Sequence, residues 1–336
     1  MAKAGHNFSP KDFSCWVKAE TVAGTSVAGS GMYALNVDSV SYPSLNVNQA
    51  LDVRSGGRFL RDDDFYQDNV LRQVELSLSG VLHNDVGHKL LLSNICNDYS
   101  GDISVATTYA PPSIVYWDGD SAAVENATAG DTLSIVIAAP DLSSPANSRH
   151  LIFSGCVVTN FTISADTGTD SGRFKFSCTL ATGKKPDLAG SGTIAGTAYA
   201  NTTDAFLHSS TTHYVNALDV VMNSFTVTLD NPAIGVGAYS TGFEQMVRGT
   251  EFAITFDTQV KYDGNTKLLV NQFDTQSVPV PANCFEFTNN NAFGIDIDNG
   301  VLTNVAYSEG DIMMLDVSGK ASSDGSTALV TFDVSA

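Results

Sequence analysis

Charged residues are scarce in this sequence, and cations are scarcer still. Charged side chains make up 16% of the 336 residues, with 17 lysines and arginines against 36 aspartates and glutamates, so the formal net charge is −19. Tight binding to nucleic acid depends on lysine and arginine contacts with phosphates, and this balance therefore argues against a protein that grips nucleic acid. Residues 191–336 hold 4 basic and 16 acidic side chains, against 13 and 20 in residues 1–190.

Long apolar runs are also missing. The longest, Leu133–Ala139, has seven residues, whereas a membrane-spanning helix needs roughly 18. We therefore predict no membrane insertion. The first 20 residues lack the apolar segment of a secretory signal, which predicts synthesis in the cytoplasm. Glycine, serine, threonine, asparagine and valine are plentiful, and this composition favours strands and turns in a chain long enough for two domains.

Metal-binding patterns do not occur in the sequence. The cysteines are odd in number and form no CxxC pair, and the six histidines never show HxH or HExxH spacing. We expect the histidines at the surface or in turns, and the cysteines as buried free thiols. The five cysteines are Cys15, Cys96, Cys156, Cys178 and Cys284.

Two motifs approach a known site and fall short of it. Gly190–Gly196 reads GxGxxxG, one residue away from the dinucleotide fingerprint and without the strand and helix that should flank it, so a linker is favoured. Asp296–Gly300 begins like a calcium loop, but Tyr307 stands where the closing glutamate should be, and this favours a β-turn. No GxSxG motif is present, and no carboxylate pair is singled out. We predict no catalytic residue, no cofactor and no metal.

The sequence does contain a long internal repeat. Val74–Ile95 and Phe252–Phe273 match without a gap at an offset of 178. In each copy apolar and polar residues first alternate, which predicts a strand with one buried face. An aspartate follows, Asp85 or Asp263, and is placed to cap a helix. The repeat therefore predicts a strand, a turn and a short amphipathic helix in each half.

Each predicted helix carries an apolar pair four residues apart, and such a pair lies on one helical face. We expect these residues to pack into the core: Leu91 and Ile95 in the first copy, and Leu269 and Phe273 in the second.

Further matches extend the repeat over most of the chain. Leu35–Ala50 matches Leu218–Ala233 at an offset of 183, and Val157–Asn160 matches Val301–Asn304 at 144. The difference between the offsets of 178 and 144 implies about 34 additional residues in the first copy, within 98–149. We predict a first domain over 1–185, a Gly/Ala/Ser/Thr-rich linker over 186–213 in which 193–199 could pair as an edge strand, and a second domain over 214–336.

A charged loop precedes the central strand of the first copy. It spans Arg54–Arg72, corresponds to Gly235–Gly249 in the second copy, and contains Asp62–Asp64 flanked by Arg58 and Arg61. The change of offset from 183 to 178 implies five additional residues in the first copy's loop. A solvated loop and an interface are both consistent with this pattern.

The blocks that repeat are similar to those of one known family. They are SYPSLNVNQAL and SFTVTLDNPAI with their Asn-Gln or Asn-Pro bend, ELSLSG and FAITFD after a long loop, the Lys-Leu-Leu helix, and FSGCVVTNFTIS followed by RFKFSCTLATGKKP. Over about residues 13–185 and 214–334 the chain resembles a tail tube (major tail) protein of long-tailed bacteriophages, in the form with two tandem tube domains.

The resemblance implies a fold and an assembly. The fold is mainly β, with two tandem β-sandwich or open-barrel domains that each carry one short α-helix. Six domains form a ring whose inner sheets join into a DNA channel, so a duplicated chain implies three chains per ring with pseudo-sixfold symmetry. Rings stack through the long loops, and the residues predicted to stack are Arg54, Arg58, Arg61, Asp62, Asp63, Asp64, Glu244 and Arg248.

The resemblance also implies partners and a location. The chain is expected to be a structural virion protein, assembled in the host cytoplasm, that contacts itself, tail terminator and tail tip or baseplate proteins, the tape measure protein, and DNA that passes a negative channel wall without specific binding. A second hypothesis is a β-sandwich receptor- or glycan-binding protein, with Tyr109, Tyr116 and Trp117 of the inserted segment as a sugar platform. A hydrolase has no motif to support it.

Overall fold

The structure is a computed structural model with two helices and 23 strands in its described part. It describes residues 10–27, 29–42, 48–51, 65–68, 74–83, 85–96, 107–108, 132–139, 150–190, 194–197, 212–236, 243, 245–248, 252–275, 283–289, 293–310, 312–322 and 329–333. Neither helix has the length and hydropathy needed to cross a membrane.

The first half of the chain contributes twelve strands and one helix to the described residues. They are β1 (Ser14–Ala19), β2 (Ser30–Leu35), β3 (Ser39–Ser41), β4 (Asn48–Leu51), β5 (Phe65–Asp68), β6 (Val74–Val81), α1 (Val86–Ile95), β7 (Thr107–Thr108), β8 (Leu133–Ala138), β9 (His150–Asp166), β10 (Lys175–Thr182), β11 (Asp187–Gly190) and β12 (Ala195–Thr197).

The second half contributes the remaining eleven strands and the second helix. They are β13 (Thr212–Val215), β14 (Leu218–Asp219), β15 (Met222–Asp230), β16 (Ile234–Val236), β17 (Gln245–Val247), β18 (Ala253–Lys261), α2 (Lys267–Thr275), β19 (Phe285–Asn289), β20 (Phe293–Ile297), β21 (Gly300–Ser308), β22 (Met314–Ala321) and β23 (Thr331–Asp333). The predicted fold class, mainly β with one short helix in each half, is confirmed.

Eight strands from both halves form one continuous antiparallel sheet. Its order is β3-β6-β10-β9-β15-β18-β22-β21. The halves meet where β9 pairs with β15, with Asp166 opposite Ser224 and Asn160 opposite Asp230. Backbone hydrogen bonds therefore join the two copies directly.

Each half covers its four strands with a second layer of five. In the first half this layer runs β2-β1-β8-β9-β11, and in the second half it runs β14-β13-β19-β20-β23. Strand β9 takes part in both layers, because its 17 residues pair with β8 near the start and with β10 and β15 near the end. Outside this common plan, β12 pairs with β2 and β7 with β23.

The duplication is visible in matching irregularities. In β9 the register shifts between Val158 and Asn160, which skips Thr159. In β21 it shifts between Leu302 and Asn304, which skips Thr303. These bulges fall on the Val-Thr-Asn and Leu-Thr-Asn triplets, so the offset of 144 describes equivalent backbone positions.

Strand pairing changes two details of the repeat. Val40 lies opposite Leu78, and Val227 lies opposite Phe256, the residue that matches Leu78. The first block is therefore offset by 187 and not by the predicted 183; the four-residue difference is even and keeps the same faces buried. In addition, β8 occupies the place of β19, so this apolar strand belongs to the shared plan and not to the additional segment of the first copy.

Part of the predicted linker is folded onto the first half. Strand β11 pairs with β9, and β12 pairs with β2. Residues 187–190 and 195–197 of the predicted linker are thus strands paired with the first half.

Both predicted aspartates accept hydrogen bonds from backbone amides near a helix start: Asp85 directly precedes α1, and Asp263 lies four residues before α2. The carboxylate of Asp85 accepts a hydrogen bond from the backbone N–H of His88 at 2.8 Å, and that of Asp263 accepts from Thr266 at 3.1 Å and Asn265 at 2.9 Å. These bonds, above all the one from Thr266, hold the pKa of Asp263 below its usual value. Free amides at a helix start explain why an aspartate is favoured there.

The predicted helix-core residues divide unequally. Leu91, Ile95 and Leu269 are fully buried, but Phe273 is 37% exposed. Helix α1 packs against β1, β2 and β9, whereas α2 packs against β21 at the margin of the molecule. Phe273 is therefore not a core residue of the single chain.

We expect Leu91→Ala and Leu269→Ala each to lower the free energy of unfolding of the dilute chain by about 2–5 kcal/mol, because each leaves a cavity at a fully buried site. Phe273→Ala is the matched control on the same helix as Leu269 and should cost clearly less. Urea denaturation measures the three values. Equal losses at Leu269 and Phe273 would contradict the difference in packing.

Candidate assembly surface

The outer face of the eight-stranded sheet is almost entirely polar. Buried and accessible residues alternate along most of its strands, for example in β18 and β22. The accessible positions are mostly hydroxyl or amide side chains: Ser39, Ser41, Ser77, Ser79, Asn160, Thr162, Ser164, Ser177, Thr179, Ser224, Thr226, Thr228, Thr255, Gln259, Asn304, Ser308 and Ser318. The second layers and the hydrophobic core lie on the other side of the sheet, so they leave this polar face uncovered.

The charges on this polar face are few and nearly balanced. Within the eight strands it carries five carboxylates and three ammonium groups, a net charge of −2: Glu75, Asp166, Asp230, Asp257 and Asp316 with Lys175, Lys261 and Lys320. Neighbouring strands donate to two of the carboxylates: Ser318 Oγ donates to Asp257 at 2.6 Å, and Gln259 Nε2 donates to Asp316 at 3.0 Å. The face is thus hydrogen-bonded, and it contains no arginine among its described strand residues.

Two margins of the sheet pair on one side only within the described residues. Strand β3 pairs with β6, and β21 pairs with β22. An unpaired strand edge offers its N–H and C=O groups to another strand. Since β3 begins the first copy's four strands and β21 ends the second copy's, the two margins correspond to β15 and β9, the strands that meet at the internal junction.

Residues at the margins are exposed, although their equivalents at the junction are buried. Phe161 and Ile163 of β9 are fully buried, whereas Tyr307, the equivalent of Ile163, is 51% exposed. Likewise Leu229 is fully buried, whereas Tyr42, its equivalent beside β3, is 42% exposed. The margins thus keep apolar side chains at the positions that the junction buries.

A phenylalanine of the first half fills the core of the second. Phe174, directly before β10, is fully buried. Its ring centroid lies 5.3 Å from that of Phe225, 5.3 Å from Phe287 and 5.4 Å from Phe293, in edge-on arrangements that aromatic rings favour. Phe174 therefore joins the two halves on the face of the sheet that packs against the second layers.

Arg248 ties the junction together at one end of the strands. It is only 3% exposed, and its guanidinium donates to the backbone oxygens of Asn231, Val158 at 2.8 Å and Asn94 at 3.3 Å. The Asn94 oxygen lies in the last turn of α1, where the helix dipole favours a positive charge. One side chain thus links β15, the β9 bulge and α1.

Two asparagines complete this network. Asn94 Oδ1 accepts from the backbone N–H of Val158 at 2.8 Å, and Asn231 Nδ2 donates to the backbone oxygen of Ile95 at 2.8 Å. The backbone N–H of Asn231 also donates to Thr159 at 2.8 Å, which occupies the bulge left by the register shift. The bulge therefore has a function: it turns backbone groups of β9 towards the second half.

The predicted stacking residues are mostly not placed by the structure. Arg54, Arg58, Arg61, Asp62, Asp63, Asp64 and Glu244 lie outside the described residues. Arg248 was a wrong prediction, because it is buried at the junction and unavailable to another ring. The bases of the two predicted loops form hairpins, β4 with β5 and β16 with β17. The proposed sugar platform, Tyr109, Tyr116 and Trp117, also lies outside the described residues.

The remaining sequence motifs have structural positions. Asp296 belongs to β20 directly opposite Glu286, and Asp298 and Asn299 connect β20 to β21. Burial, with Asp298 and Glu286 nearby, raises the pKa of Asp296 to about 6. Within the described part of the chain, no group of three or more histidine, cysteine or acidic side chains is arranged to hold a metal. All five cysteines are buried and unbridged.

Sequence reasoning missed the junction residues Phe174, Asn94 and Asn231. Asn231 belonged to a repeated block, but its partner across the junction could not be known from one strand. Phe174 belongs to the predicted strand RFKFSCTL, whose alternation indicates a buried side chain but not that it is buried in the other half.

We expect Arg248→Met to lower the free energy of unfolding by about 3 kcal/mol or more, because several buried carbonyl groups lose their donor at about 1–3 kcal/mol each. The matched control is Lys261→Met on the polar face, which should change stability by about 0.5 kcal/mol or less. Urea denaturation compares the two. Similar urea midpoints for the two variants would contradict the role of Arg248 in holding the two halves together.

Comparison with known proteins matches this architecture to one family. A search of curated proteins gives no match. A family model described as phage tail tube protein matches residues 15–321, from β1 to the end of β22, and therefore includes both halves and the junction between them. The resemblance seen in the repeated blocks is confirmed. The chain belongs to the phage tail tube protein family.

Proposed function

We propose that the chain is the repeating subunit of a phage tail tube, a structural component of the virion tail without enzymatic activity. Three chains close into a ring of six similar domains, and rings stack into a hollow tube through which DNA leaves the particle. The observation that carries this proposal is the internal junction: the chain already pairs two of its domains edge to edge, and its outer margins are the same two kinds of strand.

Closure of the sheet supports a ring. A sheet with open edges invites further pairing, and a closed barrel satisfies every edge. Because the margins differ from one another, the contact is heterologous, and a heterologous contact closes into a ring when the rotation per subunit divides the circle. Two domains per chain give three chains for a sixfold arrangement.

The polar face is the proposed wall of the channel. It lies on the opposite side from the core, so closure of the sheet in this sense lines the bore with serine, threonine and asparagine. Its net charge is −2 within the strands, so a ring of three contributes only about −6 of its formal −57 there. A wall of hydrogen-bonded hydroxyl groups without arginine offers DNA few of the cationic contacts that produce binding.

Other partners follow from the place of such a ring in a tail. We propose that the loops carried by the β4–β5 and β16–β17 hairpins contact neighbouring rings, that the ends of the tube contact a tail terminator and tail tip or baseplate proteins, and that a tape measure protein occupies the channel before DNA. Synthesis and assembly take place in the cytoplasm of the bacterial host.

Electron microscopy and native mass spectrometry of the purified protein test this function. We expect rings or tubes with a central bore, and a ring mass of three chains. Protein that remains monomeric at high concentration, both alone and with a tail initiator, would overturn the proposal.

Placing cations on the polar face tests its position in the tube. We expect tubes of the Thr162→Arg, Thr226→Arg double variant to retain short duplex DNA, with an affinity that falls steeply as salt rises, whereas wild-type tubes do not. A Thr197→Arg variant is the control, since Thr197 is exposed on β12 in the second layer. Fluorescence anisotropy of labelled DNA measures retention. Equal retention by the double variant and the control would place the polar face outside the channel.

A further inference from the structure

The internal junction identifies a second contact that ring closure would need besides strand pairing. At the junction, Phe174 enters the space between the sheet strand β15 and the second-layer strand β19, where it meets Phe225 and Phe287. This contact lies beside the β9–β15 pairing but does not depend on backbone hydrogen bonds. The residues equivalent to the two sides of this contact can be located at the two margins of the eight-stranded sheet.

The side chains that correspond to Phe174 are exposed. Thr179 lies opposite Asn160 of β9, and Ser318 lies opposite Asn304, its equivalent in β21; measured from these strands, Met313 is the equivalent of Phe174. Met313 is 47% exposed and its neighbour Ile312 is 68% exposed, against complete burial of Phe174. Exposed side chains of this size and apolarity at an equivalent position are expected where a partner is to cover them.

The space that corresponds to the one filled by the Phe174 ring is a cavity of about 610 Å³ beside β3, at the opposite margin of the sheet. Ile137 lies opposite Leu151, and Phe287 lies opposite the equivalent residue Ile295, so Ile137 takes the place of Phe287. On the sheet side, β3 and Tyr42 take the place of β15. The lining combines the apolar Phe13, Cys15, Tyr42 and Ile137 with the charged Lys11 and Asp38, and Asp38 takes the place of Phe225.

We infer that Ile312 and Met313 of one chain insert into this cavity of the next chain, and thereby repeat at each subunit boundary the contact that Phe174 makes within the chain. The occupant is a second copy of this protein, because the exposed pair and the cavity are equivalents of the two sides of an existing junction. The inference rests on the proposed ring, and it adds the side chains that close it.

The strand register follows from the same template. Val227 lies opposite Ile163 at the junction, and their equivalents are Val40 and Tyr307. We therefore place Val40 of one chain opposite Tyr307 of its neighbour, which buries both exposed tyrosines, Tyr42 and Tyr307, on the core side of the closed sheet.

Two single variants separate the two sides of the boundary. Met313→Asp alters the inserting side and Tyr42→Asp alters the cavity; both residues are exposed in the single chain, so circular dichroism should show unchanged folding. We expect neither variant to form rings. Mixed at high concentration, they should form 1:1 dimers and nothing larger, because each retains the one surface that the other lacks. Met313→Leu, which keeps an apolar side chain, should still form rings.

Native mass spectrometry distinguishes the outcomes. If Met313→Asp and Tyr42→Asp form rings like the wild type, this inference is wrong while the tube function stands. If neither assembles and the mixture gives no dimers, the two surfaces do not meet, and the inference is again wrong. If the wild-type chain itself never forms rings, the proposed function fails first, and the variants are not needed to show it.

Discussion

Backbone pairing between β9 and β15 is the constraint on which the molecule depends. It turns two β-sandwiches into one sheet, with Asn160 through Asp166 opposite Ser224 through Asp230. Because side chains alternate along a strand, a slip of one residue between β9 and β15 would place the polar face of one half's four strands on the same side as the buried face of the other half's. The register is held from outside the sheet as well, since Arg248 and Phe174 each bind one half to the other.

The sequence predicted local structure well and neighbours poorly. Alternation in Val74–Val81 and Ala253–Lys261, followed by capping aspartates, is enough to predict a strand and a helix because these features involve residues close in the chain. The predictions that Phe273 lies in the core and that Arg248 contacts another ring were wrong, because the burial of each side chain depends on what packs against it. In the first copy the junction covers the end of α1, whereas α2 lies at the margin, so equal sequence patterns have unequal surroundings.

The repeat also explains which errors were possible. The offset of 183 for the first block differs from the observed 187 by an even number, so the faces were correct although the partners were not. The Val-Thr-Asn and Leu-Thr-Asn triplets were found as a sequence match, but that they form bulges can be seen only once both paired strands are known. Arg248 uses one of these bulges, which connects a sequence match to a structural function.

The negative charge of the chain is not concentrated on the outer face of its main sheet. The chain carries −19, yet the outer face of its main sheet carries −2 and is dominated by hydroxyl and amide groups. In the proposed tube, repulsion by a strongly acidic wall is therefore not needed for DNA to pass. The described strand residues of this face include no arginine, and Asp257 and Asp316 already accept hydrogen bonds from Ser318 and Gln259, so the face offers phosphates little to bind. Most of the acidic residues lie elsewhere in the sequence, and a net charge of this size opposes association of the chains. In the proposed ring the apolar margins supply the attraction between chains, and the exposed residues equivalent to Ile163 and Phe174 are suited to that task.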